Sequence, residues 1–190
     1  MTLDIGTGDG LFVYRSAREN PTQFFVGIDP NTRSLQKISQ KINRRPAKGG
    51  APNALFIQAS VESLPEELNG IATEVHVHFP WGSLLRAVAL GEVNTLEGIR
   101  RVCAGDAKVK LTIALDVERD RSEILRLSLQ PLSPNFLDGE LRQRYLAARL
   151  EIIEHTSFQS TDWPGLTTSW AKRLGRRDRR QITYLIARAI

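Results

Sequence analysis

The sequence predicts an α/β fold: a mostly parallel seven-stranded sheet with helices on both faces and an antiparallel strand at one edge. Three observations predict it. Apolar runs of strand length alternate with helix-period patterns along the chain. The first run feeds a glycine turn, "DIGTGDG", that opens a helix. The last two runs, "LEIIEHTSF" and "QITYLIARAI", are joined only by an irregular stretch and a short basic segment, which favours antiparallel pairing. A chain of 190 residues suits one domain with a sizeable core.

Each element has its own signal. "TLDI" is a short strand that runs into the turn at 6–10, and a helical pattern follows from about Leu11 to Glu19. "QFFVGID" is a buried strand that ends at Pro30. "NTRSLQKISQKINR" opens at an Asn or Thr cap and places Leu35, Ile38 and Ile42 on one helical face. "ALFIQAS" is the third strand, and "EVHVHF", by its alternation, the fourth. "GSLLRAVAL" and "VNTLEGIRRVC" are helical, and "AKVKLTIALD" is the fifth strand. Residues 119–127 and 135–148 read as helices split by "QPLSP".

Composition narrows the function. Hydrophobic content of 41% and charged content of 25% are ordinary for a globular protein. No apolar run approaches bilayer length, and no secretory signal opens the chain, so no membrane partner is expected. A lone cysteine, Cys103, excludes an internal disulfide and a cysteine-built metal site. His76, His78 and His155 are too poorly spaced for zinc, so no metal is expected, and the setting reads as cytoplasmic. The net charge of +5 is concentrated. Lys172, Arg173, Arg176, Arg177, Arg179 and Arg180 crowd one segment against Asp178 alone. Lys37, Lys41, Arg44, Arg45 and Lys48 form a second cluster without an acid. Either alone could be a solvated face; together they suggest a docked polyanion.

The turn Gly6, Gly8, Gly10 is G-x-G-x-G, not the G-x-G-x-x-G that cradles a pyrophosphate. Asp4 and Asp9 would repel a phosphate there, whereas Asp4 would neutralise an ammonium. Asp29 ends the second strand, where a carboxylate accepts both hydroxyls of a ribose. Strand, glycine turn, helix, strand and terminal acid together point to S-adenosylmethionine. The plainer alternative is a tight turn plus a helix-capping Asp29. Ser60, Val61 and Glu62, after the third strand, are candidates for the adenine side of that pocket. A helix cap by Ser60 or Ser63 accounts for that loop nearly as well.

"DIGTGDG", "GIDP", "KGGAPN", "ESLPEEL", "FPWGSLL", "PLS" and "SWAKRL" occur in this order over nearly the whole chain. In this the sequence resembles the kanamycin–apramycin resistance methyltransferases, S-adenosylmethionine-dependent enzymes that methylate N1 of adenine 1408 in 16S ribosomal RNA of the 30S subunit. The resemblance implies a class I, Rossmann-like methyltransferase domain over residues 1–190, with RNA-binding segments near 41–53 and 159–180. It assigns Asp4, Gly6, Asp29 and Glu62 to the cofactor pocket, with Pro80 and Ser83 beside it; Gly8 of the turn and Ser60 and Val61 of the third loop complete the cofactor candidates. Trp81 and Trp170 would hold the target adenine between them. Arg173 and the basic residues around it would grip RNA, with Lys41, Arg44, Arg45 and Lys48. A monomeric enzyme is expected.

Attack by a neutral ring nitrogen on a sulfonium methyl needs no general base, so the task is positioning. Two indoles would replace the stacking that a flipped base loses and would attract the charge that arrives with the methyl. Pro80 would fix the corner that aims Trp81. Two features depart from the family pattern. Relatives usually carry a segment before the first strand, whereas here Met1 sits almost on the glycine turn, so a truncated start is expected. Asp178 also interrupts the C-terminal basic run. Trp163 reads as packing, and His78 as a structural histidine. Other readings stay open: a tRNA guanine-N7 methyltransferase or other RNA methyltransferase, a non-catalytic RNA-binding protein of the same fold, and, more weakly, a small-molecule methyltransferase.

Overall fold

A computed structural model describes residues 1–159 and 180–190. The seven strands are β1 (Thr2–Ile5), β2 (Phe25–Ile28), β3 (Ala54–Ile57), β4 (Ala72–His78), β5 (Cys103–Leu115), β6 (Leu150–Gln159) and β7 (Gln181–Ala189). They form one sheet in the order β3-β2-β1-β4-β5-β7-β6. The first five run parallel, and β7 runs against both β5 and β6. The reversed strand therefore lies one place in from the edge, because the chain turns back after β6 and inserts β7 between β6 and β5.

The pleat divides the core between two faces. Leu3 and Ile5 of β1 join Val26, Val75, Val77 and Leu111 in the main core. Leu85 and Val88 of α3 (Gly82–Leu90) and Leu96 and Ile99 of α4 (Val93–Val102) cover it. Tyr145 of α7 (Arg142–Ala147) is fully buried there and donates its hydroxyl to the Val88 carbonyl at 2.8 Å. Each such apolar side chain contributes about 1.5–3 kcal/mol by leaving water. On the opposite face, Val13 and Ala17 of α1 (Leu11–Glu19) and Ile42 of α2 (Thr32–Ile42) pack on Phe25 and Ala54. Asn31 caps α2 by accepting from the Arg33 backbone N–H at 3.2 Å, a contribution of about 1 kcal/mol.

Two elements differ from the sequence reading. β5 begins at Cys103, directly after α4, and keeps pairing past Asp106, whose φ of 60° breaks the strand pattern that sequence reading relies on. The helix expected over 135–148 is α6 (Pro134–Phe136), a π-helical turn (Leu137–Leu141) centred on Gly139, and α7. Before it, α5 (Arg121–Arg126) is a short helix after the β5 loop. Among the described residues, no helix is long and apolar enough to cross a membrane, and no cluster of His, Cys, Asp or Glu could hold a metal.

Candidate active site

The carboxyl ends of β1, β2 and β4 open into a cleft of about 460 Å³, at the point where strand order reverses. Asp4, Gly6, Gly8, Asp29, Ser60, Val61, Glu62, Pro80, Ser83 and Trp81 all line it. The topology explains why residues so scattered in sequence converge: each follows or ends a parallel strand, and those ends share one edge.

Gly6 turns the chain out of β1 with φ 75°, a conformation that favours glycine, and a Cβ there would come within 2.7 Å of Leu84 Cδ2 and push that side chain aside. Asp4 lies beneath this turn, only 2% exposed. Thr7 Oγ1 donates to its Oδ2 at 2.5 Å, while Oδ1 has no hydrogen-bond partner among the described residues. Burial raises the Asp4 carboxyl to about 7; the Thr7 hydroxyl opposes the shift, and Asp29 and Asp9 add to it. A buried carboxylate oxygen without a donor, facing a cleft, is matched by a cationic donor such as an ammonium.

Asp29 sits across the turn. Its Oδ2 accepts from the Gly8 backbone N–H and its Oδ1 from that of Asn31, each at 2.8 Å. One N–H on each oxygen leaves a lone pair on both, which suits a vicinal diol. Glu62 is exposed at the rim. The Ser60 hydroxyl is the main cause that holds its carboxyl below the ordinary range, with a smaller contribution from Ser83. These groups fit S-adenosylmethionine: Asp4 for its ammonium, Asp29 for its ribose, and the loop at Ser60–Glu62 for its base.

The Phe79–Pro80–Trp81 corner forms the other wall. Phe79 adopts φ 49°, a left-handed conformation that costs a non-glycine residue about 1–3 kcal/mol. Its N–H donates to the Thr112 carbonyl of β5 at 2.7 Å. Trp81 then stands 49% exposed at the cleft, in the N-cap position of α3, where its own side chain makes no capping bond. On α5, the Glu123 carboxyl pairs with Arg126 through two bonds of 2.7 Å, the larger cause of its lowered pKa. The sequence reading did not single out Glu123, although its i,i+3 spacing to Arg126 is local. Thr7 and Phe12, which also line the cleft, were likewise not singled out by sequence.

His78 both lines the cleft and is satisfied. Its Nε2 meets His76 Nδ1 at 3.0 Å and its Nδ1 meets Thr112 Oγ1 at 3.2 Å. Burial, then His76, pushes it down to about 3, so it is neutral at physiological pH.

The expected RNA-binding residues are placed unevenly. Arg44, Arg45 and Lys48 are exposed on the α2–β3 loop, and Lys41 lies over the Tyr14 ring at 4.2 Å. Tyr14 also donates to the Gly49 carbonyl at 2.9 Å, and Arg18 to that of Pro46 at 2.8 Å, so the loop is tied to α1. Arg180 departs from expectation. It is buried and its Nη1 donates to the carboxylate of Asp120, which is also buried, so this structure does not present it to a phosphate. Charge pattern alone cannot separate such an arginine from its exposed neighbours. Trp163, Trp170, Lys172, Arg173, Arg176, Arg177 and Arg179 lie outside the described residues. Sequence reading also passed over Arg33, whose i,i+4 spacing to Lys37 and Lys41 makes a basic stripe along α2.

Sheet order, glycine turn and the paired acids define a class I S-adenosylmethionine-dependent methyltransferase. The model of the NpmA family, "16S rRNA (adenine(1408)-N(1))-methyltransferase", matches residues 1–190. The enzyme of that name from Streptoalloteichus tenebrarius is 37% identical over 187 residues, 97% of this chain and 85% of its own. The crystal structure of the aminoglycoside resistance methyltransferase NpmB1 is 41% identical, with a TM-score of 0.85 over 100% of this chain and 86% of that one. A tryptophan-to-alanine variant of the Catenulisporales acidiphilia 16S rRNA (adenine(1408)-N(1))-methyltransferase, solved with cosubstrate SAM, is 34% identical, with a TM-score of 0.89 over 100% of this chain and 85% of that one. The chain belongs to the NpmA family of 16S rRNA (adenine(1408)-N(1))-methyltransferases.

Proposed function

We propose that this protein methylates N1 of adenine 1408 in 16S ribosomal RNA of the 30S subunit and so confers aminoglycoside resistance. The observation that carries the reading is the half-exposed Trp81 at the cleft that also holds the partnerless Asp4 oxygen. S-adenosylmethionine, when bound, supplies an electrophilic methyl on a cationic sulfur.

The chain's own residues do the rest by placement. Asp4 and Asp29 fix the two ends of the donor. Trp81 offers an indole face on which a flipped base stacks, worth about 1–3 kcal/mol. The same face attracts the positive charge that the base gains, by about 0.5–2 kcal/mol where water is excluded. That charge develops during transfer, so the indole favours the transition state over the bound substrate. Trp170 is proposed as the second face of the clamp. No side chain needs to take a proton from N1, which is unprotonated near neutral pH.

The basic groups supply the docking surface. Lys41, Arg44, Arg45 and Lys48, with Arg33 and Lys37 along α2, form a track from the Asp29 end of that helix to the loop. At 1.5 Å per residue the eleven residues of α2 span about 16 Å, so an RNA that fills the cleft and meets the loop must be extended or folded. This favours a structured ribosomal surface as substrate. Lys172, Arg173, Arg176, Arg177 and Arg179 are proposed to bind phosphate on the same RNA.

The test is where labelled methyl goes. Protein and methyl-labelled S-adenosylmethionine are incubated with 30S subunits, deproteinised 16S RNA and bulk tRNA. Label in 30S alone is expected. Label in tRNA would favour the guanine-N7 reading, and binding without label a non-catalytic one.

A further inference from the structure

Thr112 is fully buried on β5 and does not line the cleft, yet it holds two successive residues at the cleft wall. Its hydroxyl bonds His78 Nδ1 at 3.2 Å, and its carbonyl accepts the Phe79 N–H at 2.7 Å. The next residues are Pro80 and Trp81. Between Thr112 and Trp81 lies only the left-handed Phe79 and a proline, so any freedom at His78 passes to the indole.

The hydroxyl has a defined direction. Glu74 also binds Lys110 Nζ at 2.8 Å, and its carboxyl is held down to about 2, chiefly by His76, so it only accepts. With a single proton on its ring, His76 donates from Nε2 to Glu74 and offers Nδ1 as acceptor to His78. With Nε2–H spent on His76, neutral His78 presents Nδ1 as an acceptor, and Thr112 Oγ1 must be the donor. Phe12 packs against both imidazoles, with ring centroids 4.8 Å from His76 and 4.7 Å from His78, and closes the cluster beside the cleft. A buried chain that is satisfied at every link has one low-energy arrangement.

We propose that Thr112 is a positioning residue for methyl transfer, its hydroxyl and carbonyl together clamping His78 and Phe79 so that the Trp81 indole is aimed over the cleft. This rests on the methyl-transfer reading for its kinetic arm only.

The experiment compares full-length Thr112→Val, which keeps the shape and removes the donor, with Thr112→Ser, which keeps the donor. One arm measures kcat and KM on 30S subunits. The other follows the ¹⁹F resonance of 5-fluorotryptophan at position 81, assigned through Trp81→Phe. Loss of the hydroxyl is expected to lower kcat about five- to tenfold with KM within about twofold, and to shift or broaden the Trp81 resonance. Serine is expected to restore both. Glu74→Gln, which removes the acceptor that sets the chain's direction from the far end, is expected to move the same resonance and keeps the test open should the valine variant not fold. An unmoved Trp81 resonance in every folded variant overturns the inference whatever the rates do. A serine variant as impaired as the valine variant overturns it too, since packing would then explain the loss. If the unaltered protein fails to methylate 30S, the functional reading falls and the resonance arm still decides this one.

Discussion

Asp4 is pulled in two directions. Its carboxyl rises from 3.8 to about 7 on folding because burial removes its solvent, so between those values the folded chain holds a proton that the unfolded chain lacks. Stability therefore falls as pH rises through that window, by up to about 4 kcal/mol for three units. Ionised Asp4 is nevertheless the form that pairs with an ammonium. Two outcomes follow. Asp4→Asn should melt higher than the unaltered protein at pH 8, with the gap closing towards pH 4, while its affinity for S-adenosylmethionine drops about tenfold or more. In the unaltered protein that affinity should rise with pH through about 7, which calorimetry between pH 6 and 8.5 would record; a flat profile would mean Asp4 does not bind the ammonium. Trp81 differs in kind: its burial is incomplete, and its proposed contribution is reserved for the reacting base. Trp81→Ala should lower kcat roughly 30- to 100-fold, about 2–3 kcal/mol and within the combined range of the stacking and cation–π losses, with 30S affinity changed about threefold or less. Equal losses in both would remove the argument that the indole prefers the transition state.

At the level of elements, the α2–β3 loop is a built platform. Gly50 packs so closely that a Cβ would lie 1.7 Å from the Arg44 carbonyl oxygen, and the Gly50 N–H bonds the Arg45 carbonyl at 3.1 Å. Gly50→Ala must open the loop and scatter Arg44, Arg45 and Lys48. The expected result is weaker 30S binding, read by filter retention, with unchanged cofactor affinity, because the loop is tied to Tyr14 and Arg18 and does not line the cleft. Helices α1 to α4 were legible in sequence because their apolar spacing and end signals are local. The cofactor candidates were legible for a related reason: a parallel sheet brings the ends of its strands together whatever lies between them. Thr112 was not legible, since it works on partners that only tertiary folding supplies. The burial of Arg180 was not legible, because a run of arginines gives no sign of which one folds back onto Asp120. The π turn at Leu137–Leu141 hid inside a continuous helical pattern.

For the whole molecule, the proposed docking track starts beside the cleft and leads away from it along α2. If that track positions the RNA without reading its sequence, as proposed, the logarithm of 30S affinity should fall linearly with the logarithm of salt concentration. Neutralising Arg44 and Arg45 together should lessen that slope by about one per lost phosphate contact, checked by titrations at several ionic strengths; an unchanged slope would place the RNA elsewhere. The cleft, on the proposed function, selects by whether a base can leave its stack and reach Trp81. Primer extension across the decoding site of 30S subunits, treated with the protein and S-adenosylmethionine, bears most directly on this account. A methyl on N1 blocks base pairing, so reverse transcription should stop beside adenine 1408, only when the cofactor is present and far more weakly with Trp81→Ala. Full read-through at that adenine with active 30S subunits and bound cofactor, or a stop at another base, would contradict it.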